Sequence, residues 1–189
     1  MRELSQYILD IAINSQKAKA TEILIELNET EKELVFKIKD NGVGMSKDLL
    51  GKAADPFVTT RKTRKIGLGI PFLKLAAEQT GGSVSISSSR KEDSKDESHG
   101  TEVVAVFDKE SINYIPLGDI TSTLVTLIQG SPETDLKYVH KIGKASIELD
   151  TLSLVEVLKD RSSLREYEVL EWIKDHLNEQ YKSIGYINC

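Results

Sequence analysis

Two alternating stretches joined by a short polar link constrain this chain more than anything else in it. Glu22-Ile23-Leu24-Ile25-Glu26-Leu27 and Leu34-Val35-Phe36-Lys37-Ile38 each place an apolar side chain at every second position, the period of a strand with one buried face. Asn28-Glu29-Thr30-Glu31-Lys32 joins them as a hairpin. The second strand breaks into Lys39-Asp40-Asn41-Gly42-Val43-Gly44-Met45, so an acid and two glycines stand where a buried strand becomes a loop. A carboxylate there can accept a hydrogen bond from a ligand's exocyclic amine, and glycines let a flat ligand approach the backbone. Read alone, the same residues also describe an ordinary Asp-Asn-Gly turn.

Upstream, residues 2–19 read as a helix with Leu4, Ile8, Ile11, Ala12 and Ala18 on one stripe. Asp10 and Asn14 are one turn apart on a common face, with Lys17 on the same side; by themselves they describe a solvated helix face. Downstream, Ser46 is an N-cap for a short helix from Lys47 to Ala54, ended before Pro56. A basic loop follows, with Arg61, Lys62, Arg64 and Lys65 in close succession. Ile66-Gly67-Leu68-Gly69-Ile70 then leads into an apolar helix from Pro71 to Gln79, closed by Gly81-Gly82. Cations followed by glycines at a helix start suit polyphosphate binding, because the first-turn N–H groups and the helix dipole favour anions. The plain alternative is a solvated basic loop.

Ser83 to Ser87 and Gly100 to Phe107 read as strands around a charged run, 88–99, that makes a hairpin tip. A first domain therefore spans 1–108. Residues 109–189 read as a small α+β domain of αββα order. It comprises a helix from Leu117 to Gln129, a hairpin around Gly143-Lys144, a short helix from Leu152 to Lys159, and a last helix. That last helix is expected to start at Ser163, with Glu166 completing a capping box.

Bulk properties exclude several classes. A net charge of -5 and a pI near 5.4 argue against nucleic acid, which asks for a basic face. The single cysteine, Cys189, allows no disulfide framework. No signal peptide or membrane-length apolar run is present, so a soluble cytoplasmic protein without a membrane partner is expected. There is no P-loop, and Gly67-x-Gly69 lacks the third glycine of a dinucleotide fingerprint. His99, His140 and His176 are scattered and read as surface or core residues.

The order Asp10-x-x-x-Asn14, Asp40-x-Gly42-x-Gly44, Pro56-Phe57, Gly67-Leu68-Gly69-Ile70, Gly81-Gly82 and Gly100-Thr101 resembles the ATP-binding module shared by gyrase, Hsp90, histidine kinases and MutL, the GHKL superfamily. The resemblance runs from about Leu4 to Phe107. Residues 56–82 look most like a histidine kinase, and the first helix, Asn14-Ser15-x-x-Ala18, looks more like MutL. The fold implied is a Bergerat-type two-layer α/β sandwich of α+β class, with helices on one face of a mixed sheet and the small αββα unit appended.

The same resemblance implies ATP and Mg²⁺ as ligands. By it, Asn14 ligates the metal through its amide oxygen and Asp40 accepts the adenine amino group. Gly42, Gly44 and Met45 line the ring, and Thr101 lies near it. Gly67, Leu68 and Gly69 present backbone N–H groups to the phosphates, with Arg61, Lys62 and Lys65 as lid cations. Asp10 stands where hydrolysing relatives carry a glutamate base, one methylene shorter, and is the candidate catalytic group. Histidine kinases carry their phosphoacceptor before this module, and the sequence begins at the first box. The expectation is thus a kinase-like protein without its own phosphoacceptor domain that regulates or phosphorylates a partner, docked through the tail. The alternatives are a MutL- or gyrase-like ATPase switch, with a homodimer possible, and a non-catalytic ATP/ADP sensor.

Overall fold

The computed structural model describes residues 3–52, 69–90, 92 and 99–186. In chain order these form α1 (Leu4–Lys17), β1 (Glu22–Glu29), β2 (Glu33–Asp40), α2 (Lys47–Lys52), α3 (Gly69–Gln79), β3 (Ser83–Ser89) and β4 (Gly100–Asp108). Then follow α4 (Ile120–Gly130), β5 (Asp135–Ile142), β6 (Ala145–Asp150), α5 (Thr151–Leu158), a 3₁₀ turn (Arg161–Arg165) and α6 (Tyr167–Ser183). The strands make one mixed sheet in the order β3-β4-β2-β1-β5-β6. Among the described residues β1 and β5 pair in parallel, and the other neighbouring pairs are antiparallel.

Alternation decides which face is covered. Ile23, Ile25 and Leu27 on β1, Leu34, Phe36 and Ile38 on β2, and Val103, Ala105 and Phe107 on β4 are buried together. Against them lie Leu4, Ile8 and Ile11 of α1, Leu73 of α3, Leu124 of α4 and Ile173 of α6. Each such side chain contributes about 1.5–3 kcal/mol of transfer free energy, so this single layer of helices on one sheet face carries the core. The two-layer α+β architecture expected from the sequence is the one observed.

β4 ends at Asp108, where the sequence reading placed a boundary, yet the sheet runs on through β1 into β5 and β6. The tail also reaches α1. That helix has no side-chain cap at Glu3; its first N–H groups donate instead to the carbonyls of Pro116 (3.0 Å) and Leu117 (2.8 Å), which satisfies donors a helix start otherwise leaves free. Further along, Gln16 Nε2 donates to the Leu127 carbonyl on α4 at 3.0 Å.

A buried polar chain joins the far end of β1 to the tail. Glu29 Oε1 accepts from Lys109 Nζ at 2.6 Å, and Oε2 accepts from Tyr186 Oη at 2.8 Å. His140, fully buried on β5, has Nε2 3.1 Å from Glu29 Oε2 and Nδ1 2.9 Å from Tyr181 Oη, which lies 2.6 Å from Tyr138 Oη. An ionised carboxylate only accepts, so His140 Nε2 carries a proton and donates it to Glu29. Burial pushes the Glu29 carboxyl upward, but hydrogen bonds from His140, Lys109 and Tyr186 outweigh it and bring it down to about 2.

Several boundaries differ from expectation. α1 stops at Lys17, with Lys19 at φ 59° just beyond it. Among the described residues α3 runs from Gly69, so Pro71 lies within it. The expected capping box at Ser163 does not form. Asp160 captures the Ser162 N–H at 2.9 Å and starts a 3₁₀ turn that buries Leu164, and Glu166 is extended (φ -71°, ψ 136°), so α6 begins only at Tyr167.

Candidate nucleotide site

Asp40 is the last residue of β2, on the covered face, with 8% of its surface exposed. Three elements aim donors at its carboxylate. Ser15 of α1 donates its hydroxyl to Oδ2 at 2.6 Å. Gly42 N–H, from the following loop, reaches Oδ1 at 2.9 Å, and Thr101 N–H, directly opposite on β4, reaches Oδ1 at 3.2 Å. A carboxylate offers about four lone-pair positions. Three are used, so the group is held in one orientation with acceptor capacity left for a ligand donor.

The loop after Asp40 is fixed from both sides. Asn41 Oδ1 accepts from the N–H groups of Thr21 (2.9 Å) and Glu22 (3.0 Å), and its Nδ2 donates to Thr21 Oγ1 (2.9 Å). Gly44 has φ +70°, and a Cβ there would lie 2.0 Å from the Ser89 carbonyl oxygen. No other residue type fits that approach, and the reason lies in the protein's own backbone, whatever the loop binds. Gly42 is buried against Ala18, whose carbonyl accepts from Val43 N–H at 2.9 Å.

Ser88 ties the rest together. Its Oγ accepts from Met45 N–H at 2.8 Å, donates to the Gly100 carbonyl at 2.9 Å and lies 2.9 Å from Thr101 Oγ1. His99 Nδ1 sits 2.7 Å from the Gly42 carbonyl. Beside this cluster opens a cavity of about 360 Å³ lined by Asp40, Ser88, His99 and Thr101 among others.

Asp10 and Asn14 lie on the exposed face of α1, one turn apart. The start of α3 comes against them: a Cβ on Gly69 would lie 3.1 Å from Asp10 Cβ and 3.5 Å from its Oδ2. Gly69, the first described residue of α3, therefore adjoins the carboxylate of Asp10. Arg61, Lys62, Lys65, Gly67 and Leu68 lie outside the described residues, as does Arg64.

Thus the structure brings Asp40, Gly42 and Thr101 into one hydrogen-bonded set, joins Met45 to it through Ser88, and sets Asp10 beside Gly69. Sequence reasoning missed Ser15, Asn41, Ser88 and His99. Ser15 and Asn41 each adjoin a residue singled out from the sequence, Asn14 and Asp40, and that adjacency was the available signal. Ser88 and His99 fall in a run read as a hairpin tip, which carried none.

The family described as histidine kinase-, DNA gyrase B-, and HSP90-like ATPase matches residues 1–111. The tetrathionate sensor histidine kinase TtrS of Salmonella typhimurium is 33% identical over 104 residues, 55% of this chain and 17% of that protein. Sporulation kinase D of Bacillus subtilis is 33% identical over 87 residues, 45% of this chain and 17% of that protein. The chain thus spans about a sixth of the length of these curated relatives. In structure, the N-terminal domain of a DNA repair protein superposes with a TM-score of 0.54 at 15% identity, over 79% of this chain and 52% of that one. This likeness of fold covers more of the chain than residues 1–111, so it takes in part of the tail.

Proposed function

This chain belongs to the histidine kinase-, DNA gyrase B-, and HSP90-like ATPase family, and from that premise we propose that it binds ATP with Mg²⁺ and regulates or phosphorylates a separate protein. The observation that carries the reading is the Asp40 carboxylate, pinned by Ser15, Gly42 and Thr101 with acceptor capacity to spare. Such a group suits an exocyclic amine such as that of adenine. Met45 and Thr101 would flank the ring position, and Gly69, the first described residue of α3, would offer its N–H to the phosphates. Gly67, Leu68, Arg61, Lys62 and Lys65 would complete that phosphate subsite.

Asn14 would hold the metal through its amide oxygen, a hard donor suited to Mg²⁺. Among the described residues no three His, Cys, Asp or Glu side chains converge on a metal position. That suits an ion whose remaining ligands are water and phosphate oxygens. When bound, the ion neutralises charge on the phosphates.

A second reading, hydrolysis, is favoured by one contact. Asp10 adjoins Gly69 at the start of α3, where a carboxylate can take a proton from an attacking water. The tail, hydrogen-bonded to both ends of α1, would then carry the nucleotide state to whatever docks on it.

Titration calorimetry with ATP, with and without Mg²⁺, tests the binding. Asp40→Asn should weaken ATP at least about tenfold by offering amide hydrogens to an amine, and Asn14→Ala should remove the Mg²⁺ dependence. Undiminished binding in Asp40→Asn would end the proposal. Labelled ATP then separates the two readings. Label on a second protein supports transfer, whereas phosphate release abolished by Asp10→Asn supports hydrolysis.

A further inference from the structure

The chain has one tryptophan, Trp172 on α6, and 52% of its surface is exposed. Its indole stacks flat on His176, with ring centroids 4.9 Å apart and planes 6° from parallel. The buried stripe of α6 is Leu170, Ile173, Leu177 and Tyr181, so Trp172 faces away from the core. Helical spacing sets Glu168, Glu171, Asp175 and Glu179 along one flank of the indole on that outward face. None of these four carboxylates forms an ion pair among the described residues. Like charges three and four residues apart destabilise a helix, and a half-exposed indole leaves apolar surface in water. Glu168 suits the first turn of α6; the other three carboxylates have no such place.

We propose that this face of α6 docks a basic segment of a partner protein, with arginine as its anchor. A guanidinium is planar, stacks on an indole face and pairs with carboxylates through a fixed fork. The Trp172–His176 pair supplies the flat surface, and Glu168, Glu171, Asp175 and Glu179 supply acceptors along one flank of it. The inference rests on the reading above in taking a separate protein as the partner. It gives that partner a chemistry: cationic, arginine-bearing and presented along one helix face.

Docking can be read without nucleotide, so its failure and that of ATP binding are distinguishable. The probe is a synthetic amphipathic peptide with arginine at every third or fourth position, compared with its citrulline analogue, and Trp172 emission is the reporter. The arginine peptide should give a saturable change, and the citrulline peptide should bind at least about tenfold more weakly. By calorimetry, Trp172→Ala and the pair Glu171→Gln with Asp175→Asn should each weaken the arginine peptide about tenfold, with circular dichroism unchanged. Glu33→Gln, a charge removed from the exposed start of β2, should leave it unaltered. Absence of saturation, equal binding of the citrulline peptide, or equal loss in Glu33→Gln would overturn the proposal. So would a Trp172-dependent dimer in the absence of peptide, which would assign the face to a second copy of this chain.

Discussion

Replacing Glu29 with glutamine tests how the tail is held to the sheet. The carboxylate takes three donors, from Lys109, Tyr186 and His140, and an amide has only one oxygen to offer. At least one donor is left facing an NH₂ group, which costs about 1–3 kcal/mol when buried. The carboxyl's lowered titration reports the same hydrogen bonds from the other side. A carboxyl drawn from 4.5 to about 2 stabilises the folded chain by about 3 kcal/mol at about 1.4 kcal/mol per pH unit. Because solvent reaches part of the network through Lys109, 22% exposed, about 2 kcal/mol is the fairer figure after screening. Glu29→Gln should therefore lose about 2 kcal/mol at pH 7, read as a lowered urea midpoint with circular dichroism as the probe. The sign with pH is fixed: the folded carboxyl lies below its unfolded value, so its contribution is complete above about 4.5 and is lost as pH falls through about 2. Wild type and variant should converge over that window. ATP affinity should not change, because Glu29 lies about 20 Å along β1 from the Asn41 contact at Glu22. A loss below about 0.5 kcal/mol, or a gap that persists at pH 2, would refute the reasoning.

Three further outcomes follow from the same geometry. Ser15→Ala removes one of the three donors on Asp40 and should weaken ATP several-fold, about 1 kcal/mol by calorimetry, with little change in unfolding temperature. Gly44→Ala sets a Cβ 2.0 Å from the Ser89 oxygen at φ +70°. It should cost more than about 2 kcal/mol in thermal unfolding, whether or not nucleotide is added. Gln180 pairs its amide with Glu148 on the edge strand β6, Nε2 to the carbonyl and Oε1 to the N–H, both at 3.0 Å. Gln180→Ala should expose that edge and raise self-association in sedimentation velocity.

The parts legible in the sequence were those governed by local rules. Alternation gave the inward faces of β1 and β2, and Gly143-Lys144 marked the β5–β6 hairpin correctly. Two of the three partners of Asp40, Ser15 and Thr101, could not be paired with it from the sequence because they stand 25 and 61 residues away. The pairing of β1 with β5 was equally hidden, since nothing near Ile23 says that Leu136 will lie beside it. His140 was read as surface or core; its burial is plain in the structure, but its role depends on Glu29 and Tyr181, which are brought in by two other elements. The start of α6 was misplaced because Asp160 competes for the same turn.

The carbonyls of Pro116 and Leu117 at the head of α1, and β5 alongside β1, give the tail a hand in the pocket's construction. Cutting the chain after Asp108 would strip the first helix of its opening acceptors and turn an interior strand into a bare margin. A fragment trimmed to the familiar module would then lose purchase on the very helix that carries Asp10 and Asn14. Ligand and tail should accordingly guard each other: nucleotide slowing proteolysis near residue 116, and an intact tail sharpening the grip on nucleotide.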